Sequence, residues 1–161
     1  MDAIVAVYSD WGIGFEGTQP VVIKADRAHF VELTRGRTVL VGRRTLEDFP
    51  GGRPLKGRRN IVVTRQSIEI PGAEVVHDVA DALELIGNGD CVVLGGASVF
   101  REFFPYIDRV FVTKIELAPK SDAYFPALDE SGDWYLADAG EPLEENGVGY
   151  RFMRYERKVN E

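Results

Sequence analysis

The hydrophobic positions of this chain come in short runs separated by polar, glycine-rich breaks. Residues 3–8 (AIVAVY), 38–42 (TVLVG), 60–64 (NIVVT) and 91–94 (CVVL) are apolar at successive positions. That is the pattern of strands covered on both faces. A short strand near 74–76 and another at 109–116 are predicted with them. Residues 25–34 (ADRAHFVELT) have helical spacing, with Asp26, Phe30 and Leu33 on one face, and further helices are expected near 44–48, 79–86 and 97–104. Residues 9–24, with three glycines and Pro20, and residues 49–57, punctuated by Pro50, Gly51, Gly52, Pro54 and Gly57, read as loops. Near the end, strands at 133–138 and 149–157 are expected to pair around a turn at Glu145-Asn146-Gly147. Strands alternating with helices predict an α/β fold: a single domain over residues 1–161, with a mainly parallel central sheet, flanking helices and an antiparallel C-terminal edge.

Composition narrows the function classes. With 161 residues, 45% hydrophobic and 28% charged, the chain is an ordinary soluble globular protein long enough to bury a core. Its net charge of −7 argues against nucleic-acid binding, which favours a basic surplus. No run approaches the ~18 apolar residues of a membrane span, and MDAIVAVYSD is too short and acidic for a signal peptide. A cytoplasmic location is expected. The single cysteine, Cys91, excludes an internal disulfide and a cysteine-based zinc site, and in CVVL it reads as a buried core thiol. His29 and His77 have no second ligand at metal spacing, so no metal is expected.

Charge is not spread evenly. Between Arg35 and Arg65 nine basic residues face two acids, Glu47 and Asp48, giving net +7 in 31 residues of a chain that is −7 overall. Arg43 and Arg44 follow a strand that stops at Gly42 and precede a helix. Free amides and the dipole at a helix N-terminus favour an anion. A second strand-to-helix turn, Gly95-Gly96-Ala97-Ser98, is neutral. Together the two turns suit a dinucleotide, with a pyrophosphate over the bare helix end and an extra phosphate at the arginines, joined by Arg65. That combination favours NADP over NAD.

Gly12, Gly14 and Gly17 spell GxGxxG after a strand, but TQPVVI follows where the dinucleotide fingerprint needs a helix. The ordinary Rossmann reading is therefore rejected, and the segment is kept as a glycine-bearing loop. Asp26 puts a carboxylate on the apolar face of its helix. It either complements the helix dipole or meets a cationic heterocycle, and burial would raise its pKa into a range useful for proton delivery.

Asp26-x3-Phe30-x3-Thr34, VGRRT, PL-x-GRRNIVVTR, LGGASVF and T-x-I-x6-DAYFP, in this order and spacing, resemble the dihydrofolate reductase family along essentially the whole chain. The resemblance implies NADPH as cofactor and dihydrofolate as substrate. Hydride would pass from nicotinamide to the pterin imine carbon, with protonation of the adjacent ring nitrogen. It makes Asp26 the carboxylate that grips the amino-pyrimidine edge and assists protonation, and Thr113 its supporting hydroxyl. Ile4, Ala6 and Leu94 would line the pterin and nicotinamide pockets, and Phe30, Phe49 and Leu55 would clamp the aminobenzoyl ring. Arg58 would pair with the glutamate-tail carboxylate. Gly42, Arg43, Arg44, Thr45, Thr64 and Arg65 fall on the adenosine-phosphate side, and Gly95, Gly96, Ala97, Ser98 and Val99 on the pyrophosphate side. Ile13, Gly14 and the loop through Gln19 would close over nicotinamide. Arg35, Arg37 and Arg59 are expected to be surface charge that steers anions.

Two positions depart from the family pattern. Val21 stands where Trp is frequent, and Phe100, expected beside nicotinamide and pterin, stands where Tyr is frequent. Each change keeps an apolar wall and removes a polar contact. A monomer is expected. Two other readings remain open at this point: a related reductase of the same fold acting on another pterin or a pyrimidine, and a non-catalytic folate- or nucleotide-binding protein.

Overall fold

The computed structural model describes residues 1–17 and 19–159. Thr18, inside the loop expected over 9–24, and Asn160 and Glu161, at the end of the expected domain, lie outside the described residues. In chain order the elements are β1 (Asp2–Tyr8), β2 (Gly12–Gly14), α1 (Lys24–Thr34), β3 (Thr38–Gly42), α2 (Arg43–Glu47), β4 (Arg59–Val63) and β5 (Ala73–Val76). They continue with α3 (Val79–Ile86), β6 (Cys91–Gly95), α4 (Ala97–Phe103), β7 (Arg109–Ile115), β8 (Ala123–Tyr124), β9 (Trp134–Asp138), β10 (Leu143–Glu145) and β11 (Val148–Arg157). Contacts divide the chain into two compact units, one of Met1 and Val31–Tyr106, the other of Asp2–Phe30 and Ile107–Glu161.

The first unit is built on parallel strands in the order β6-β3-β4-β5. Val39, Leu40, Val41, Ile61, Val62, Val92 and Val93 are fully buried, which is why the centres of β3, β4 and β6 are continuous apolar runs instead of alternating. Parallel neighbours need crossovers. α3 supplies one of them, opened by the Asp78 side chain, which accepts from the Asp81 amide at 2.8 Å. Gly42 pairs with Val63 and Val63 with Val76, while Val41 meets Gly95 after a register shift. The carboxyl ends of all four strands therefore share one edge. In open α/β sheets this is the edge where ligands bind.

The second unit pairs β1 with β7 in parallel and β7 with β11 antiparallel. β11 also carries β9 and β10, both antiparallel. Trp11 packs edge-on against Tyr155 with centroids 5.7 Å apart, and Lys114 Nζ lies 4.0 Å over the Trp11 ring. The Tyr155 hydroxyl donates to Asp129 Oδ1 at 2.6 Å. Val21 packs on the core of Tyr8, Ile23, Ile115 and Tyr150, and its amide donates to the Tyr8 hydroxyl at 3.3 Å.

Three sequence expectations are corrected. The 9–24 segment is not all loop: Gly12–Gly14 forms β2, which pairs antiparallel with β8, and α1 begins at Lys24. The turn at Asn146-Gly147 joins β10 to β11, not the 133–138 strand to its partner. Leu143-Glu144-Glu145 has no strand pattern of its own, and pairing with Val148–Tyr150 imposes one. The basic window is also partly neutralised, four of its nine basic residues being paired with acids. Arg37 pairs with Asp90, Arg59 with Glu74 at 2.6 Å, Arg43 with Glu47 at 3.3 Å and Arg35 with Glu32 at 3.8 Å. Arg35, Arg37 and Arg59 are thus compensated locally and add little to long-range steering.

Candidate functional site

In the second unit the site is built around the first turn of α1. Its leading amides, Lys24 N and Ala25 N, donate to Glu145 Oε2 and Oε1 at 2.7 and 3.1 Å. A carboxylate on the β10–β11 hairpin thereby caps a helix 120 residues away in sequence, satisfying two of its orphan donors. This fixes the turn that carries Asp26. The Thr113 hydroxyl, 3% exposed on β7, donates to Asp26 Oδ1 at 2.6 Å. Burial pushes the Asp26 carboxyl above the ordinary carboxylate range, against the opposing pulls of the Thr113 hydrogen bond and the nearby His29. Desolvation favours the neutral acid, whereas a donor and a cation favour the anion.

Ile4 and Ala6 are half-buried on β1, opposite Phe111 and Thr113 on β7. Phe30 is half-buried one turn beyond Asp26. Ile13 and Gly14 lie on β2, where Gly14 pairs with Ala123 and its carbonyl accepts from the Asp122 amide at 2.9 Å. The Asp122 carboxylate in turn accepts from the Glu16 amide at 3.0 Å. Gln19 Nε2 donates to the carbonyls of Ile13 at 3.3 Å and Ala6 at 3.5 Å, holding the loop on β1.

In the first unit, α2 and α4 start at Gly42 and Gly96 with no side-chain cap. A Cβ on Gly42 would stand 3.0 Å from Val99 Cγ2, so the start of α2 packs against α4 with no room for a larger residue. Gly95 has φ +127°, a conformation that side-chain-bearing residues rarely adopt, and the peptide between it and Gly96 is cis. Thr45 lies beneath this turn, its Oγ1 3.2 Å from where a Gly96 Cβ would be. Ala97 is half-buried and Ser98 exposed at the start of α4, while Leu94, Val99 and Phe100 are buried. Thr64 and Arg65 follow the end of β4 on the same edge, and Arg44 and Arg65 are exposed. Neither arginine makes an ion pair among the described residues.

Arg58 is held differently. Its Nε donates to Thr34 Oγ1 at 3.1 Å, Nη1 to the Lys56 carbonyl at 2.6 Å and Nη2 to the Val31 carbonyl at 3.3 Å. All three acceptors are neutral, so the guanidinium is oriented and its charge is left for an external anion. The buried Asn60 side chain fixes the loop beside it, accepting from Leu55 N and donating to Leu55 O, each at 2.9 Å, and donating to Arg58 O at 3.0 Å. Phe49 is half-buried in the preceding turn.

Asn60, Glu145 and Asp122 were missed by sequence reasoning. Asn60 stands inside a quoted motif, and its polar side chain in a strand of Ile and Val was the available signal. Asp122 opens the quoted DAYFP motif and Glu145 the expected turn, but nothing local pointed to their partners, which are more than 100 residues away. His77, read as isolated, meets the Thr64 carbonyl through Nδ1 at 2.8 Å. Among the described residues no group of three His, Cys, Asp or Glu is placed to hold a metal ion, and no helix is long and apolar enough to cross a membrane.

A family model for dihydrofolate reductase matches residues 1–157. The chain belongs to the dihydrofolate reductase family. It is 39% identical over 150 residues to the dihydrofolate reductase of Bacillus subtilis, covering 91% of this chain and 88% of that one. To that of Mycobacterium tuberculosis it is 38% identical over 151 residues, 90% of each. A solved dihydrofolate reductase from Enterococcus faecalis, complexed with NADP(H) and RAB-propyl, superposes with a TM-score of 0.86 at 29% identity, over 98% of this chain and 96% of that one. The α/β class, with mostly parallel strands plus antiparallel ones, is therefore that of a dihydrofolate reductase.

Proposed function

We propose that this dihydrofolate reductase family member reduces 7,8-dihydrofolate to tetrahydrofolate with NADPH, using Asp26 as the carboxylate that holds the pterin and assists its protonation. The observation that carries the residue assignment is the Asp26 carboxyl itself, half-buried, bonded by Thr113 and raised in pKa. NADPH, when bound, supplies the hydride that adds to the pterin imine carbon. The chain's own task is to deliver a proton to the adjacent ring nitrogen. A carboxyl whose pKa is raised keeps its proton to higher pH than an ordinary aspartate, and can grip the amino-pyrimidine edge through two oxygens. Thr113 orients that carboxyl.

The residues fit the cofactor. Two uncapped helix starts and the side-chain-free Gly95-Gly96 turn present bare amides, and Arg44 and Arg65 have no acid partner among the described residues. In this reading Gly42, Thr45, Thr64, Arg44 and Arg65 serve the adenosine phosphate, with Arg43 weakened by Glu47. Gly95, Gly96, Ala97, Ser98 and Val99 serve the pyrophosphate. Ile13, Gly14 and Gln19 cover nicotinamide, which Ala6, Leu94 and Phe100 line. On the substrate, Ile4, Phe30, Phe49 and Leu55 enclose the rings, and Arg58 takes the tail carboxylate. An absorbance assay of purified protein tests this reading: NADPH should be oxidised when dihydrofolate is added, and unoxidised NADPH would contradict it. The same reading makes the protein a single-domain cytoplasmic monomer, for which size-exclusion chromatography tests the oligomeric state.

A further inference from the structure

His29 is the titratable group that the reaction above leaves unused. It lies three residues after Asp26 on α1, which places the two side chains one above the other on the same face. Its ring stacks on Phe152, centroids 4.0 Å apart and planes at 23°. Phe152 is the β11 partner of Thr113, the residue that bonds Asp26. The imidazole is thus fixed by stacking on one strand and the carboxyl by a hydrogen bond to the residue paired with it on the next. We propose that His29 is a positioning residue for proton delivery, its charge state setting how readily Asp26 keeps its proton. The inference rests on the role of Asp26 proposed above.

The surrounding charges leave this pair coupled mainly to itself. β7 presents Thr113 and Phe111 on this face and, beyond Phe111, Arg109, whose guanidinium is paired with Asp2 at 2.8 Å. On β11, Tyr150 meets Phe152 edge-on at 5.5 Å, and Arg154 directs its guanidinium to Glu156 at 3.6 Å. β10 brings Glu145, whose oxygens are taken up by the α1 amides. On α1 itself Lys24, Arg27 and Glu32 are exposed. Burial lowers the His29 pKa and outweighs the opposing pull of Asp26, while His29 pulls that of Asp26 down. A protonated imidazole would hold Asp26 toward its anion, and its loss would let the acid form persist to higher pH.

Two variants test this through the pH profile of single-turnover hydride transfer. His29→Phe keeps a ring on Phe152 and removes the charge. Its falling limb should move to higher pH, with rates on that limb about two- to threefold above native. His29→Arg installs a permanent cation with a planar group able to stack, so its limb should move to lower pH, with rates reduced by about the same factor. Damage to packing cannot produce opposite displacements. If His29→Arg does not fold, a carbon NMR titration of the Asp26 carboxyl in native and His29→Phe proteins reads the same shift directly. Coincident profiles, displacements in one direction, or an unmoved Asp26 titration overturn the proposal. If Asp26→Asn turns over like native, the reading of Asp26 itself fails; if Asp26→Asn is impaired while the His29 profiles coincide, only the His29 inference fails.

Discussion

Thr113 Oγ1 donates to Asp26 Oδ1 at 2.6 Å, joining the central strand β7 to the first turn of α1. This hydrogen bond favours the charged carboxylate, whereas burial favours the neutral acid and dominates. Thr113→Val removes the donor and keeps the shape. The carboxyl pKa should then rise further, moving the falling limb of the turnover–pH profile to higher pH. Plateau turnover should drop by roughly tenfold, the value of one hydrogen bond of ~1.5 kcal/mol to an ionisable group. A steady-state profile of the variant checks both changes.

Holding Asp26 in this environment costs stability at neutral pH. Its folded pKa lies above the unfolded one, so its favourable contribution is full below the ordinary carboxylate pKa and is lost as pH rises through the folded value. Asp26→Asn should therefore raise the stability of the ligand-free protein at pH 7 by ~0.5–2 kcal/mol, the range seen when a functional strain is relieved. Thermal melts should show the gain shrinking as pH falls.

The phosphate contacts separate by pairing. Arg44 and Arg65 are exposed, with no acid partner among the described residues, while Arg43 is paired with Glu47 at 3.3 Å. Arg44→Ala should raise the NADPH KM by roughly 10- to 100-fold, the equivalent of ~1.5–3 kcal/mol for one charge-assisted contact, and leave the NADH KM unchanged. Arg43→Ala should do markedly less. Parallel kinetics with the two cofactors measure the contrast.

Asn60 is buried at 3% exposure, and its side chain satisfies both backbone groups of Leu55. Asn60→Leu should destabilise the protein by ~2–4 kcal/mol, because a buried amide and carbonyl lose their partners. It should also raise the dihydrofolate KM, since Leu55 and Arg58 share this loop. Denaturant titration and substrate kinetics separate the two effects.

Much of the fold was legible because its strands are read from local patterns. Thr38–Gly42, Cys91–Gly95 and Val79–Ile86 follow from apolar runs and helical spacing within their own residues. β2, β8 and β10 were not, since Gly12-Ile13-Gly14, Ala123-Tyr124 and Leu143-Glu144-Glu145 become strands only by pairing with distant partners. At the candidate site the sequence marked Asp26 as a carboxylate on an apolar face, but Thr113 came from family resemblance, being 87 residues away. The charge count overstated the free basic surface for the same reason. Asp90 and Glu74 lie outside the window they neutralise, 53 and 15 residues from their arginines.

The most direct measurement compares native protein with Asp26→Asn for NADPH oxidation in the presence of dihydrofolate, with NADPH affinity measured in parallel. Native protein should oxidise NADPH only when dihydrofolate is added. The variant should bind NADPH as tightly while its turnover falls by ~10²-fold or more, the contribution of a positioned proton-transfer group. Native-like turnover in the variant would contradict the role given to Asp26.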